Sequence, residues 1–382
     1  MTPPTKGRTT GPAEAVVDLA AYRANLAVLR AAAPTALQTA VVKADAYGHG
    51  AVEISRAARQ AGAEGLGVAA IEEAAALRRG GDRGPVLAWL SPAGADLAPA
   101  IDAGVDAAAG STAQLEAVLG AGATTRPRVH LKVDTGMARG GVRGAELSAL
   151  FEAARAAQDA GSIEIVGIFS HLACADEPAS PVNTAQEHAF GEAVAELASY
   201  GVEPELRHLA NSAATLTRPS VHHDLVRVGI ASYGISPGPT LGTPADLRLT
   251  PVMTLRTALS LVRRVPPGTG VSYGHTYVTK RETTLGLVPV GYGDGILRAA
   301  SNAASAWVNG TLVPIAGRVC MDQVVLDLGD LAADRGDEVV LFGAGTRGEP
   351  IAEDWAAAAG TIGYEVVTRL GGRIVRTYVD AT

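Results

Sequence analysis

The stretch "TAVVKADAYGHG", residues 39–50, sets an apolar run, Ala40-Val41-Val42, directly before Lys43. Behind the lysine come Asp45, Tyr47, Gly48, His49 and Gly50, a polar, glycine-rich turn. A buried strand ending on an amine has an ordinary explanation: the lysine stem packs at the strand end and its ammonium stays in water. The rest of the chain argues against it here.

Up to about residue 240, short apolar runs alternate with segments of helical period. The runs centre on Val41-Val42, "GLGVAA" (65–70), "VLAWL" (86–90), "VDAAAG" (105–110), "RVHLKVD" (128–134), "IVGIFSH" (165–171), "LRHLANS" (206–212) and "LVRVGIASYG" (225–234). Between them, 51–63, 71–81, 112–122 and 146–161 read as helices. Eight strands alternating with helices predict a parallel (β/α)8 barrel, a TIM-type fold. A doubly wound sheet is the competitor, and it usually has fewer strands over this length. After "SPGPT" (236–240) the texture changes to strands separated by Gly, Pro and Asn-Gly turns, with few helical segments before 352–360. The expected organisation is a disordered leader over 1–13, a barrel over 14–245 and a mostly β domain over 246–382.

At 382 residues the chain has room for one large and one smaller domain. A net charge of −7 argues against a nucleic-acid partner, which would require a basic face. No apolar run reaches the roughly 18 residues of a membrane span, and the polar N-terminus has no signal-peptide core. Cys174 and Cys320 are too few for a disulfide framework and lack metal-site spacing. These features point to a cytoplasmic protein, with no metal expected. "HHD" at 222–224 is read as a solvated loop.

In such a barrel the chemistry sits at the C-terminal ends of the strands. Those ends carry Lys43 and Tyr47; Lys132, Asp134 and Arg139; His171; His208, Asn211 and Ser212; and Arg227 with Gly229-Ile230. So many cationic groups in one ring are costly unless an anion or a network compensates them. "NSAA" offers a hydroxyl and turn amides, and "RVGIAS" offers glycine amides after the last strand, where such barrels usually bind phosphate. With a strand-end lysine, these suggest pyridoxal phosphate, whose aldehyde forms a Schiff base with an amine.

Nine motifs in order, "AVVKADAYGHG", "HLKVDTGMARGG", "IFSHLACADE", "HLANSAA", "LVRVGIASYGISP", "VSYGHTY", "PVGYGDG", "GRVCMDQ" and "TIGYEVV", resemble the alanine racemase family, fold-type III pyridoxal-phosphate enzymes. Gly363 stands where a polar residue is expected. The resemblance implies that Lys43 carries the cofactor, with Tyr47, Asn211, Ser212, Gly229, Ile230 and Tyr364 around its phosphate. Arg227 would face the pyridine nitrogen, buttressed by His171 and His208. A guanidinium, with a pKa above about 12, gives that nitrogen no proton. Lys43 and Tyr273 would serve as bases on opposite faces of the substrate. Arg139 and Met321 would meet its carboxylate, and Lys132, often carbamylated in the family, would orient Arg139. Asp176, Tyr292, Arg298, Arg318 and Asp322, with Tyr364, would line the entrance.

The resemblance also implies a head-to-tail homodimer in which each β domain completes the partner's site. The short 236–244 connection argues the same way, against that domain closing over its own barrel mouth. Pocket width decides between alanine and a larger substrate such as serine or a basic amino acid. A decarboxylase of this fold would not require Tyr273 opposite the lysine, and a non-catalytic carrier would not require the β domain. No dinucleotide fingerprint follows an early strand, against a nicotinamide enzyme.

Overall fold

The computed structural model describes residues 12–380. Nine strands fill the first part of the chain: β1 (Ala13–Asp18), β2 (Leu37–Val41), β3 (Gly65–Ala70), β4 (Val86–Leu90), β5 (Val105–Ala109), β6 (Arg128–Lys132), β7 (Glu164–Phe169), β8 (Leu206–His208) and β9 (Leu225–Val228). Strands β2 to β9 form one parallel eight-stranded sheet in the order β8-β7-β6-β5-β4-β3-β2-β9. The seam between β8 and β9 is bridged by Arg227 N–H to the Ala210 carbonyl (3.0 Å) and Asp224 N–H to the Arg207 carbonyl (3.1 Å). The result is a nearly closed (β/α)8 barrel. Its strands are near-continuous apolar runs because both faces are covered.

The helices Ala51–Gln60, Ile71–Arg79, Thr112–Leu119 and Ala145–Asp159 fill the four expected windows. Ala145–Asp159 buries Leu150, Phe151, Ala154 and Ala157, one face at helical spacing. The helix Pro181–Ser199 was not expected. It buries Asn183 and Gln186 as well as apolar residues, and those amides tie loops together. Asn183 donates to the Cys174 and Glu177 carbonyls, while Gln186 bonds Ala173, Thr135 and His171.

Ten strands follow: β10 (Met253–Ala258), β11 (Leu261–Val265), β12 (Gly270–Val271), β13 (Tyr277–Val278), β14 (Thr283–Val288), β15 (Ser305–Val308), β16 (Thr311–Pro314), β17 (Val324–Gly329), β18 (Glu338–Phe342) and β19 (Ile374–Val379). Asn309 and Gly310, both at positive φ, make the two-residue turn between β15 and β16. The main sheet runs β16-β15-β18-β10-β1-β19.

That order amends the expected start of the barrel. β1 pairs antiparallel with β10 and parallel with β19, so residues 13–18 lie in the sheet of the second domain. Its alternating burial suits a sheet with one face on the core. Of the expected leader, residues 1–11 lie outside the described residues; Ala13 opens β1.

Candidate active site at the barrel mouth

Lys43 leaves β2 into an unusual turn. Ala44, Asp45, Ala46 and Tyr47 all have φ between 51° and 54°, a left-handed turn that costs about 1–2 kcal/mol per non-glycine residue. The surroundings hold it. Glu73 accepts from Ala44 N–H (2.6 Å), and Asp45 accepts from Ala51 N–H (2.8 Å). Arg376 of β19 pairs with Asp45 (2.9 Å) and donates to the Gly48 carbonyl (2.7 Å). His49 is fully buried with Nδ1 against the Ala46 and Tyr47 carbonyls, and burial pushes its pKa down to about 4. The sequence showed a polar turn; its handedness was not visible in two alanines.

The lysine enters a cavity of about 310 Å³ lined by Val41, Lys43, Tyr47, Trp89, Lys132, Arg139, Phe169, His171, Asn211, Ser212, Arg227, Gly229, Ile230 and Tyr364. Val41, Trp89 and Phe169 were not anticipated, although they stand at or near the C-terminal ends of strands like the others. Burial and the charges of Arg139 and Arg227 lower the Lys43 pKa, against the pull of Glu73. Lys132 is lowered by burial, Arg139 and Arg227. Asp134 accepts the Gly136, Met137 and Ala138 N–H groups and so shapes the loop that carries Arg139. Among the described residues, none of Lys43, Lys132, Arg139 and Arg227 is in an ion pair, whereas surface arginines such as Arg59 and Arg207 are. Four cations without a carboxylate suit a polyanionic ligand.

Arg227 is buried and burial lowers its pKa to about 10, so it stays charged near neutrality. It donates to His208 Nδ1 (2.9 Å), the His208 carbonyl (2.8 Å) and the Ser170 carbonyl (2.7 Å), with His171 Nδ1 at 3.4 Å. Burial first, then the neighbouring cations, holds His171 and His208 far below the usual histidine range. Both are neutral acceptors toward the guanidinium.

The opposite end of the cavity is a cradle. Ser212 Oγ accepts from Gly229 N–H (2.8 Å), linking the first turn of the helix Ser212–Thr217 to the loop after β9. Asn211 caps that helix, its side-chain oxygen accepting from Ala214 N–H (3.0 Å). A Cβ on Gly229 would stand 2.6 Å from the Tyr47 hydroxyl, so glycine lets the phenol lie over the backbone. Burial raises the pKa of Tyr47 and Tyr364, which leaves both as O–H donors. This donor set and the free cations fit a phosphate ester carrying a carbonyl that can bond Lys43.

Tyr273 and Met321 do not reach this cavity. They line a second one, about 580 Å³, with Ser272, Leu287, Cys320, Asp322, Gln323 and Val325. Tyr273 is 71% exposed and Met321 54%. Ser272 Oγ donates to the Arg318 carbonyl (2.7 Å), and a Cβ on Gly274 would stand 3.1 Å from the Arg318 guanidinium, so Arg318 belongs beside the Tyr273 turn. Tyr292 N–H bonds the Cys320 carbonyl (2.9 Å), and Asp322 pairs with Arg373 (3.1 Å). Arg298 opens a short 3-10 turn in the same domain. Asp176 lies on the barrel side, its carbonyl accepting from Thr240.

Tyr364 lines the barrel cavity with the other expected cofactor-side residues. Two expectations change. The helix Gly363–Thr368 brings Tyr364 there from the second domain of the same chain, so part of that domain does reach its own barrel mouth. The 222–224 segment is packed rather than solvated: His222 is buried with Nε2 on the Thr215 carbonyl (3.0 Å), His223 lies against Phe190, and Asp224 pairs with Arg207. Tyr277 donates to Asp327, consistent with a structural strand tyrosine.

Comparison with known proteins agrees with this geometry. The family model "Alanine racemase, N-terminal domain" matches residues 17–237, and "Alanine racemase, C-terminal domain" matches 252–378. The alanine racemase of Thermobifida fusca is 52% identical over 97% of this chain and 98% of its own. That of Streptomyces coelicolor is 52% identical over 96% of each. The crystal structure of alanine racemase from D-cycloserine-producing Streptomyces lavendulae superposes with a TM-score of 0.96 at 50% identity, covering 98% of this chain and 99% of that one. With both family domains in order and a solved relative matching nearly end to end, the chain belongs to the alanine racemase family.

Proposed function

We propose that the protein interconverts L- and D-alanine with pyridoxal 5'-phosphate as cofactor. The observation that carries this is the convergence of Lys43, Lys132, Arg139 and Arg227, unpaired with any carboxylate among the described residues, on one cavity with a hydroxyl and amide cradle at its far end. When bound, the cofactor supplies an aldehyde for an amine and a conjugated ring that accepts the electron pair of the substrate Cα–H bond. Tyr47, Ser212, Gly229, Ile230, Asn211 and Tyr364 would hold the phosphate. Arg227, a permanent donor, would face the ring nitrogen without protonating it. Arg139 and Met321 would orient the carboxylate, and Lys132, as the amine or its carbamate, would orient Arg139.

Inversion at Cα requires a proton to leave one face and return on the other. Lys43, with its lowered pKa, handles one face. The phenol for the other face is Tyr273 of the partner subunit, since Tyr273 of the same chain lines a separate cavity. The assembly we infer is a homodimer in which each β domain, with Tyr273, Met321, Tyr292, Arg298, Arg318 and Asp322, covers the partner's barrel mouth. Alanine, a small substrate, suits a mouth narrowed in this way. The expected setting is the cytoplasm, with D-alanine going to peptidoglycan.

The test is direct. The purified holoenzyme, incubated with single L-amino acids, should abolish optical rotation with L-alanine, and borohydride should fix the cofactor on the peptide containing Lys43. No loss of rotation, or a label on Lys132, would refute the reading.

A further inference from the structure

The inward faces of four barrel strands carry a polar chain that meets the site only at Arg227 and runs from there into the barrel. Asp106 is on β5, His130 on β6, His208 on β8 and Arg227 on β9, and all four are buried. Asp106 Oδ2 lies 3.3 Å from His130 Nε2; His130 Nδ1 lies 2.9 Å from His208 Nε2; and His208 Nδ1 lies 2.9 Å from Arg227 Nη1. A guanidinium has donors and no acceptor. His208 Nδ1 therefore accepts, and the ring proton sits on Nε2. That proton is donated to His130 Nδ1, which places the His130 proton on Nε2, facing Asp106. Arg227 at one end can only donate and the Asp106 carboxylate at the other can only accept, so both ends impose the same direction on every bond in the chain.

A second observation supports the arrangement independently. Gly167 lies on β7, between β6 and β8, and pairs in register with His130. A Cβ there would stand 2.2 Å from His130 Nδ1, the atom that accepts from His208. The missing side chain is what leaves the contact open. Phe169, next but one on the same face, stacks on His208 at 4.9 Å with 4° between the planes and so fixes that ring.

The chain also answers an electrostatic question. Among the described residues every direct partner of Arg227 is uncharged: His208, His171 and the Ser170 and Leu209 carbonyls. A buried cation with no anion is costly. Asp106 stands at the far end of the chain, its other oxygen 3.0 Å from Arg128 near the start of the strands.

We propose that Asp106 and His130 are positioning residues for Arg227: the carboxylate sets the tautomer of His130 and, through it, that of His208, so that an acceptor always faces the guanidinium. The consequence for turnover rests on the reading that Arg227 faces the cofactor ring. The tautomers do not.

Asp106→Asn gives a sharp test. Arg128 can only donate, so it holds the amide oxygen and turns the amide NH2 toward His130 Nε2. His130 must then carry its proton on Nδ1, and His208 is driven to place its own proton on Nδ1, against Arg227. Long-range proton–nitrogen correlation of histidine-labelled holoenzyme reads this out. Wild type should show both rings neutral with the proton on Nε2, and Asp106→Asn should move it to Nδ1 in both. In Asp106→Asn the visible band of the bound cofactor should shift, and kcat for alanine should fall about 10-fold or more, the usual scale for losing such a supporting bond, with KM within about 2-fold. Adding Arg128→Leu frees the amide to turn its oxygen to His130, so tautomers and most of the rate should return; simple structural damage would accumulate instead. A wild-type His208 protonated on Nδ1, a charged His130, or an Asp106→Asn protein with unchanged tautomers or rate would overturn the proposal. If alanine is not racemised at all, the function reading fails while the wild-type tautomers still test the chain.

Discussion

Lys43 and Tyr273 stand in opposite surroundings. The lysine ends a barrel strand and enters a cavity between Tyr47 and Trp89, on a left-handed turn tied down by Glu73, Asp45 and Arg376. The tyrosine sits on a short 3-10 turn between Ser272 at φ 60° and Gly274 at φ 70°, with most of its side chain exposed. The barrel half gathers its cations, cradle and supporting histidines around one cavity. The β-domain half carries the phenol proposed to act and has no enclosure. A phenol working on a Cα proton requires a water-poor setting, and the exposed Tyr273 and Met321 gain one only when another surface covers them. Under the proposed function, binding falls to one half and completion to the other.

The largest effect should come from separating these roles. Tyr273→Phe should slow conversion from L-alanine by about 10²–10⁴, the scale of a lost general acid–base group, while the holoenzyme keeps its cofactor absorbance. Equal loss of cofactor would merge the two halves into one. Full activity would remove Tyr273 from the reaction.

A middle-sized effect concerns acid. His49 titrates at about 4 in the folded chain and near 6.5 when unfolded. Between those values the unfolded state binds the extra proton, so stability falls as pH drops from 6.5 toward 4. The full span is worth about 3 kcal/mol. His171 and His208 act in the same direction, so acid should strike the barrel half. Urea midpoints at pH 7 and pH 5 should separate, and His49→Asn, which cannot ionise, should narrow the gap. An unchanged gap would mean that His49 is not the group responsible.

The smallest effect tests how firmly the barrel half is held. Arg376→Leu removes the ion pair to Asp45 and the bond to the Gly48 carbonyl, worth about 1–3 kcal/mol together on a partly exposed site. The melting temperature should fall by a few degrees, and kcat should drop more than KM rises, because the turn that aims Lys43 loosens. A purely thermal effect with kcat intact would show that the turn holds itself.

Much of this was legible in the sequence because barrel strands are continuous apolar runs and their ends carry the unusual residues. Asn309-Gly310 likewise announced its hairpin. What escaped has physical reasons. Ala44 and Ala46 give no sign of left-handed backbone, because that conformation is imposed by Arg376 and Glu73 from distant elements. β1 reads as any half-buried strand, and only long-range pairing with β10 and β19 places it in the second domain. The 222–224 segment looked polar, yet its histidines are packed. Asp106 and His130 sat inside runs that read as plain strand, since inward polar residues leave the apolar pattern nearly intact.

The central claim is that one working site requires two chains, and mixing chains tests it most directly. Lys43→Ala and Tyr273→Phe should each be nearly inactive alone. After dissociation and reassociation, a heterodimer with shared sites collects both lesions in one site and leaves the other intact, so activity should return to about half per heterodimer by two-fold symmetry. If each site lay within one chain, every site would keep a lesion. A silent mixture in which heterodimers are shown to be present would contradict the account.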